Sequence, residues 1–100
     1  MAHVRKSFDG NNQKSAPVFA HDGRASISIY GSGWSATVAV QRHLEYGGGG
    51  KPASDDANWR TIDSYTENQE LNAFQATPCW YRLATTAHSS GTVGGEIRTN

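Results

Sequence analysis

The chain has 100 residues, nine of them Lys or Arg and nine Asp or Glu, so its formal net charge is zero. That length supports one domain with a modest core and excludes a second domain with its own catalytic cleft. The even charge balance leaves no excess positive charge to drive binding to phosphate backbones, so no nucleic acid partner is expected.

Residues 1–17 are polar. Within them Asp9, Gly10, Asn11 and Asn12 form a strong turn signal, because Gly and Asn tolerate positive φ and Asp closes an Asx turn. This stretch reads as an extended arm or a poorly packed first hairpin. A neighbouring chain is expected to hold it, and the domain behind it is expected to fold without it. Pro17, Val18, Phe19 and Ala20 predict a short edge strand ended by His21, Asp22 and Gly23. The division is therefore 1–23 for the arm and first edge strand, and 24–100 for a β domain.

Ala25, Ile27 and Ile29 alternate with Ser26, Ser28 and Tyr30, the period of two of a strand with one buried face. After Gly31, Ser32 and Gly33, the residues Trp34, Ala36, Val38 and Val40 alternate in the same way, which predicts an antiparallel hairpin. Residues 45–58 form a long loop with four successive glycines, Gly47 to Gly50, which cannot stabilise a strand interior. Trp59 to Tyr65 predicts a strand pairing with residues 36–42, and Leu71 to Gln75 another. Tyr81, Leu83, Thr85 and Ala87 share one face of a longer strand, with Trp80, Arg82, Ala84 and Thr86 on the other. Val93 and Ile97 face inward from a final strand whose Thr92, Glu96 and Arg98 face outward. No segment carries helical periodicity. The pattern predicts an all-β fold, a small antiparallel β-sandwich of immunoglobulin-like or jelly-roll-like type with an extended N-terminal arm, with a barrel as the alternative. Leu, Ile, Val and Phe together make up less than a fifth of the chain, so its ten aromatic residues must supply much of the core area.

Chemistry is sparse in this pattern. His3, His21, His43 and His88 show none of the spacings of a metal site and read as exposed or turn-supporting. Cys79 is the only cysteine, which excludes an intrachain disulfide and a cysteine-based zinc site; it reads as a small buried apolar residue at a strand start. Asp55 and Asp56 lack calcium-loop spacing and read as a solvated loop tip. The run Ser54 to Trp59 is similar to the Asp-box hairpin of sialidase-like repeats but occurs once and lacks its glycine, so it reads as turn chemistry. Gly47 to Gly50 lacks the Gly-Lys-Ser/Thr ending of a phosphate loop. No cofactor, no metal and no catalytic group is therefore expected, and the chain reads as a non-enzymatic scaffold or binding module. Neither a signal peptide nor a membrane span is apparent, which predicts a soluble protein made in a cytoplasm, with no membrane partner. Because Trp80 and Tyr81 point oppositely, one of them belongs to an outer face or an interface.

Val38-Ala39-Val40-Gln41-Arg42, Trp59-Arg60-Thr61-Ile62-Asp63-Ser64-Tyr65-Thr66, Tyr81-Arg82-Leu83 and Ser90-Gly91-Thr92-Val93 follow one another in the order seen in a group of small tailed-bacteriophage proteins. The chain resembles these virion structural proteins over residues 24–99 and departs from them in the arm and in the loop 45–58. The resemblance implies a non-enzymatic capsid decoration or cement protein, repeated on a symmetric assembly and bound to the major capsid protein or other virion proteins. Its location would be the virion, assembled in the host cytoplasm. A head–tail or tail component is the alternative within the particle. The contact groups expected are Val4, Arg5, Lys6 and Phe8 on the arm, Tyr46 and Lys51 on the loop, and Trp80. A carbohydrate-binding sandwich, using Trp80 or loop aromatics, is the competing class.

Overall fold

A computed structural model describes residues 3–43 and 51–99. Eight strands account for most of them: β1 His3–Phe8, β2 Val18–Ala20, β3 Arg24–Tyr30, β4 Ser35–His43, β5 Arg60–Tyr65, β6 Gln69–Phe74, β7 Cys79–Ser90 and β8 Val93–Thr99. They form two four-stranded sheets, sheet A in the order β1-β8-β3-β6 and sheet B in the order β2-β7-β4-β5, and every pairing is antiparallel. Only β4 and β5 are neighbours in both sequence and space. Every other link crosses between the sheets, which is the jelly-roll order of two interlocked Greek keys.

The alternation read from the sequence builds the core. Ala25, Ile27 and Ile29 from sheet A face Val38, Val40, Tyr81 and Leu83 from sheet B, and Val93 and Ile97 complete the layer; all are buried. Tyr81 also donates from its hydroxyl to the Gly23 carbonyl at 2.6 Å, so its one polar atom is satisfied where burial would otherwise penalise it. Cys79 is buried at the start of β7, and burial pushes its thiol up from the ordinary value.

Two expectations are corrected. The strands β3 and β4 do not form a hairpin: β3 pairs with β6 and β8, and β4 with β5 and β7. Alternation determines which face of a strand is buried but not which strand lies beside it. The connection turns across the sandwich at Gly31, with φ +149°, and Gly33, with φ +69°. Asn68, in the turn from β5 to β6, fastens this corner by donating to the Gly31 carbonyl and accepting from the Trp34 indole, each at 2.9 Å. The turn from β7 to β8 abuts the same corner at Gly91, where a Cβ would stand 2.7 Å from the Trp34 Cα, and φ is +78°. Only glycine suits that place.

The second correction concerns the N-terminal segment. It is extended, yet it is built into the sandwich. His3–Phe8 pairs along its length with β8, and Phe8 is fully buried in the core. The polar stretch after it runs along the outer edge of β7. Asn12 N donates to Thr85 O at 3.0 Å, Thr85 N to Gln13 O at 2.9 Å and Ser15 N to Leu83 O at 2.8 Å. The Ser15 hydroxyl accepts from Leu83 N at 2.9 Å. Residues 3–15 therefore belong to the domain that residues 24–100 are expected to form without them.

Truncating Phe8 to alanine is expected to lower unfolding stability by about 3–5 kcal/mol, the usual loss for a large buried ring. Urea titration checks this. A change within about 0.5 kcal/mol, as for an exposed position, would contradict the placement of β1.

Candidate interaction surface

The outer face of sheet A carries cross-strand rows of polar side chains. Arg5 of β1 pairs in register with Glu96 of β8, which stands opposite Ser28 of β3 and so in line with Glu70 of β6. Glu96 binds His3 Nε2 at 2.6 Å, Arg5 at 2.9 Å and Arg98 at 3.4 Å. These partners, His3 first and then Arg5, hold its carboxyl down at about 2. The cluster fastens β1 to β8 from the solvent side while Phe8 fastens it from the core.

Strand alternation divides the expected contact groups of this segment. Arg5 is exposed on the outer face, whereas Val4 is half-buried against the core. Lys6 is half-buried, with its ammonium 5.7 Å from the Phe8 ring centroid. Phe8, expected as a partner contact, is instead a core residue, because its position in β1 directs its ring between the sheets. Tyr46 lies outside the described residues. Lys51 is exposed at the start of the described part of the β4–β5 loop.

That loop does more than the sequence suggests. Residues 53–59 fold back over the outer face of sheet B and cover Arg82, which is only 4% exposed. The Arg82 guanidinium lies 4.1 Å from the Trp59 ring centroid and donates to Gln41 Oε1 at 2.7 Å and to the Ser54 carbonyl at 2.8 Å. Its partners here are neutral, and burial pulls it below the ordinary arginine value. Trp59 donates from its indole to the Ala53 carbonyl at 2.9 Å and packs edge-on against His43. His43 is 1% exposed, with Nε2 at 3.2 Å from Asp56 Oδ2. It is buried rather than exposed, and it meets the turn residue Asp56. Asp56 is half-buried rather than solvated; the Asn58 backbone N–H, and then His43, hold its carboxyl below the usual range. The Asx turn from Asp56 to Asn58, closed at 2.8 Å, is the one part legible in the spacing of the sequence. The burial of Arg82, flanked in β7 by the apolar Tyr81 and Leu83, carries no signature.

Trp80 lies on the outer face of sheet B, opposite in sense to the buried Tyr81, as alternation predicts. It is half-buried, and its ring centroid is 5.2 Å from that of Phe19, which in turn meets His21 edge-on at 4.9 Å. His88, by contrast, supports the β7–β8 turn through Nε2 at 2.7 Å from the Gly91 carbonyl. Among the described residues no three His, Cys, Asp or Glu side chains converge as a metal site would require, and no helix is long and apolar enough to cross a membrane.

Two outcomes follow from this geometry. Substituting Arg82 with alanine is expected to release the loop 53–59, lowering stability by roughly 1–3 kcal/mol and shifting Trp59 emission to the red; unchanged emission and protease resistance at residues 51–58 would refute the tether. The carboxylate of Glu96 is held below its ordinary 4.5, at about 2, so its contribution is fully present above pH 4.5 and is lost as the pH falls through about 2. The protection of β1 amides, measured relative to their intrinsic exchange rates, should fall over that window in the native chain, and Glu96→Gln should abolish that fall. Comparison with family models, with curated proteins and with solved structures finds no match for this chain.

Proposed function

We propose that this chain is a non-enzymatic structural protein of a tailed-phage virion. It acts as a capsid decoration protein that binds the major capsid protein in many copies and stabilises the shell. The observation that carries the reading is the jelly-roll strand order closed by β1 against β8, an architecture that recurs in viral capsid domains. Fold supplies analogy only, and the resemblance of residues 24–99 to small phage virion proteins supplies the rest. Glu96, Arg82 and Asn68 are engaged in holding strands and loops together.

The contact groups differ from those of a free arm. Arg5 on the rim of β1 and Lys51 on the loop are exposed, so they are the groups that meet the shell, and Trp80 is the aromatic contact on sheet B. Shallow contacts of this kind gain strength by repetition over a symmetric lattice.

Quantitative mass spectrometry of purified particles is the decisive measurement. The chain should be present in a fixed ratio to the major capsid protein, and Lys51→Glu should reduce occupancy at least several-fold without changing the fold of the free protein. Recovery of the chain only outside particles would overturn the proposal, and a few copies per particle would indicate the head–tail or tail component instead.

A further inference from the structure

The outer face of sheet A carries a feature that the decoration reading does not use. A shallow groove of about 430 Å³ is lined by Arg24, Ser26, Asn72, Phe74 and Arg98, together with Ala25 and Ala73. Its volume falls within the range of small-ligand sites. Two cross-strand rows build it. Asn72, Ser26 and Arg98 stand side by side on β6, β3 and β8, and Phe74 and Arg24 stand side by side in the next row.

The chemistry of these rows is one-sided. Phe74 is 60% exposed, the most open of the large apolar side chains among the described residues. The Arg24 guanidinium is 5.1 Å from its ring centroid, so one cation is already held beside the aromatic surface. Across the groove, Arg98 reaches Glu96 only at 3.4 Å, whereas His3 and Arg5 hold the same carboxylate at 2.6 and 2.9 Å. Its guanidinium is thus the most loosely held of the three groups on Glu96, and it lines the groove. Between them, Ser26 Oγ donates to Asn72 Oδ1 at 3.2 Å, which leaves the Asn72 amide nitrogen as a donor. No carboxylate lines the groove, although the chain as a whole is neutral.

We propose that this groove binds a carboxylated sugar, a sialic acid or a uronic acid residue. The sugar carboxylate takes the guanidinium donors of Arg98 and Arg24, for which a planar anion is the matched partner. The apolar face of its ring lies against Phe74, and its hydroxyls meet Asn72 and Ser26. A sugar suits the place better than a polypeptide. The binding groups are side chains on the face of the sheet, whereas an added strand would use the backbone at the edge of β6. The site is separate from Trp80 and the loop on sheet B, and it does not depend on where in a virion the protein sits.

Amide-resolved NMR titration of the full chain tests this, with 3′-sialyllactose and a hyaluronan tetrasaccharide as acidic probes, lactose as the neutral control and tetraglutamate as the acidic peptide control. Saturable shifts confined to residues 24–26, 72–74 and 98 are expected with at least one acidic sugar, with lactose at least about tenfold weaker, since each lost charge-assisted pair is worth about that much. Phe74→Ala and Arg98→Ala should each weaken binding by about tenfold. Both positions are exposed, so the free variants should keep the fold, with spectral changes confined to the immediate neighbours of the substituted residue. Equal shifts with lactose would overturn the proposal, as would absence of saturation with both acidic sugars. Tetraglutamate binding as tightly as the sugars would overturn it in favour of an acidic polypeptide.

Discussion

The pairing of β1 with β8 is the constraint on which the rest of this sandwich depends. It brings residue 3 beside residue 98 and residue 8 beside residue 93, and it places Phe8 between the sheets. Without β1, β8 would become an edge strand and the core would open beside Val93 and Ile97. Glu96 then has a clear role. His3, Arg5 and Arg98 gather on it, and although exposed ion pairs are individually weak, here they act on the solvent side of a strand already anchored by a buried ring.

Sheet B is organised by a different principle. A guanidinium is costly to bury without compensating partners, and Arg82 finds them in a side-chain amide, a backbone carbonyl and an indole face. Two of those three partners, Ser54 and Trp59, come from the β4–β5 loop. The loop thus completes the solvation of the arginine, and the arginine in return gives the loop one defined position. A Lys at this place would keep the charge but lose the planar stacking that joins it to Trp59.

Much of the fold was legible in the chain, because period-two alternation is a local property. Ile27, Ile29, Val38, Val40, Tyr81, Leu83, Val93 and Ile97 all face the core as their spacing implies. What alternation does not encode is adjacency, and so β3 and β4, read as a hairpin, stand in opposite sheets. The N-terminal strand is hidden in the sequence for a related reason. Val4 and Phe8 share its inner face, but Lys6 between them interrupts the apolar pattern while its ammonium reaches over the Phe8 ring. Residues 12–15 follow β7 through backbone groups and the Ser15 hydroxyl, an attachment that leaves no hydrophobic pattern to read. The surfaces were the least legible. Arg82 and Trp59 are distant in sequence, and the Arg24, Asn72, Phe74 and Arg98 groove assembles only when three strands lie in register.

The β1–β8 pairing also governs when this molecule can form. Its partners are separated by nearly the whole length of the domain, and such contacts require closing a long loop before they return any stabilisation. During synthesis β1 must wait, extended and with Phe8 uncovered, until residues 93–99 have been made. Folding of this sandwich is therefore a late and slow event, and the interval before β8 arrives is when its open strand edge is most exposed to pairing with another chain.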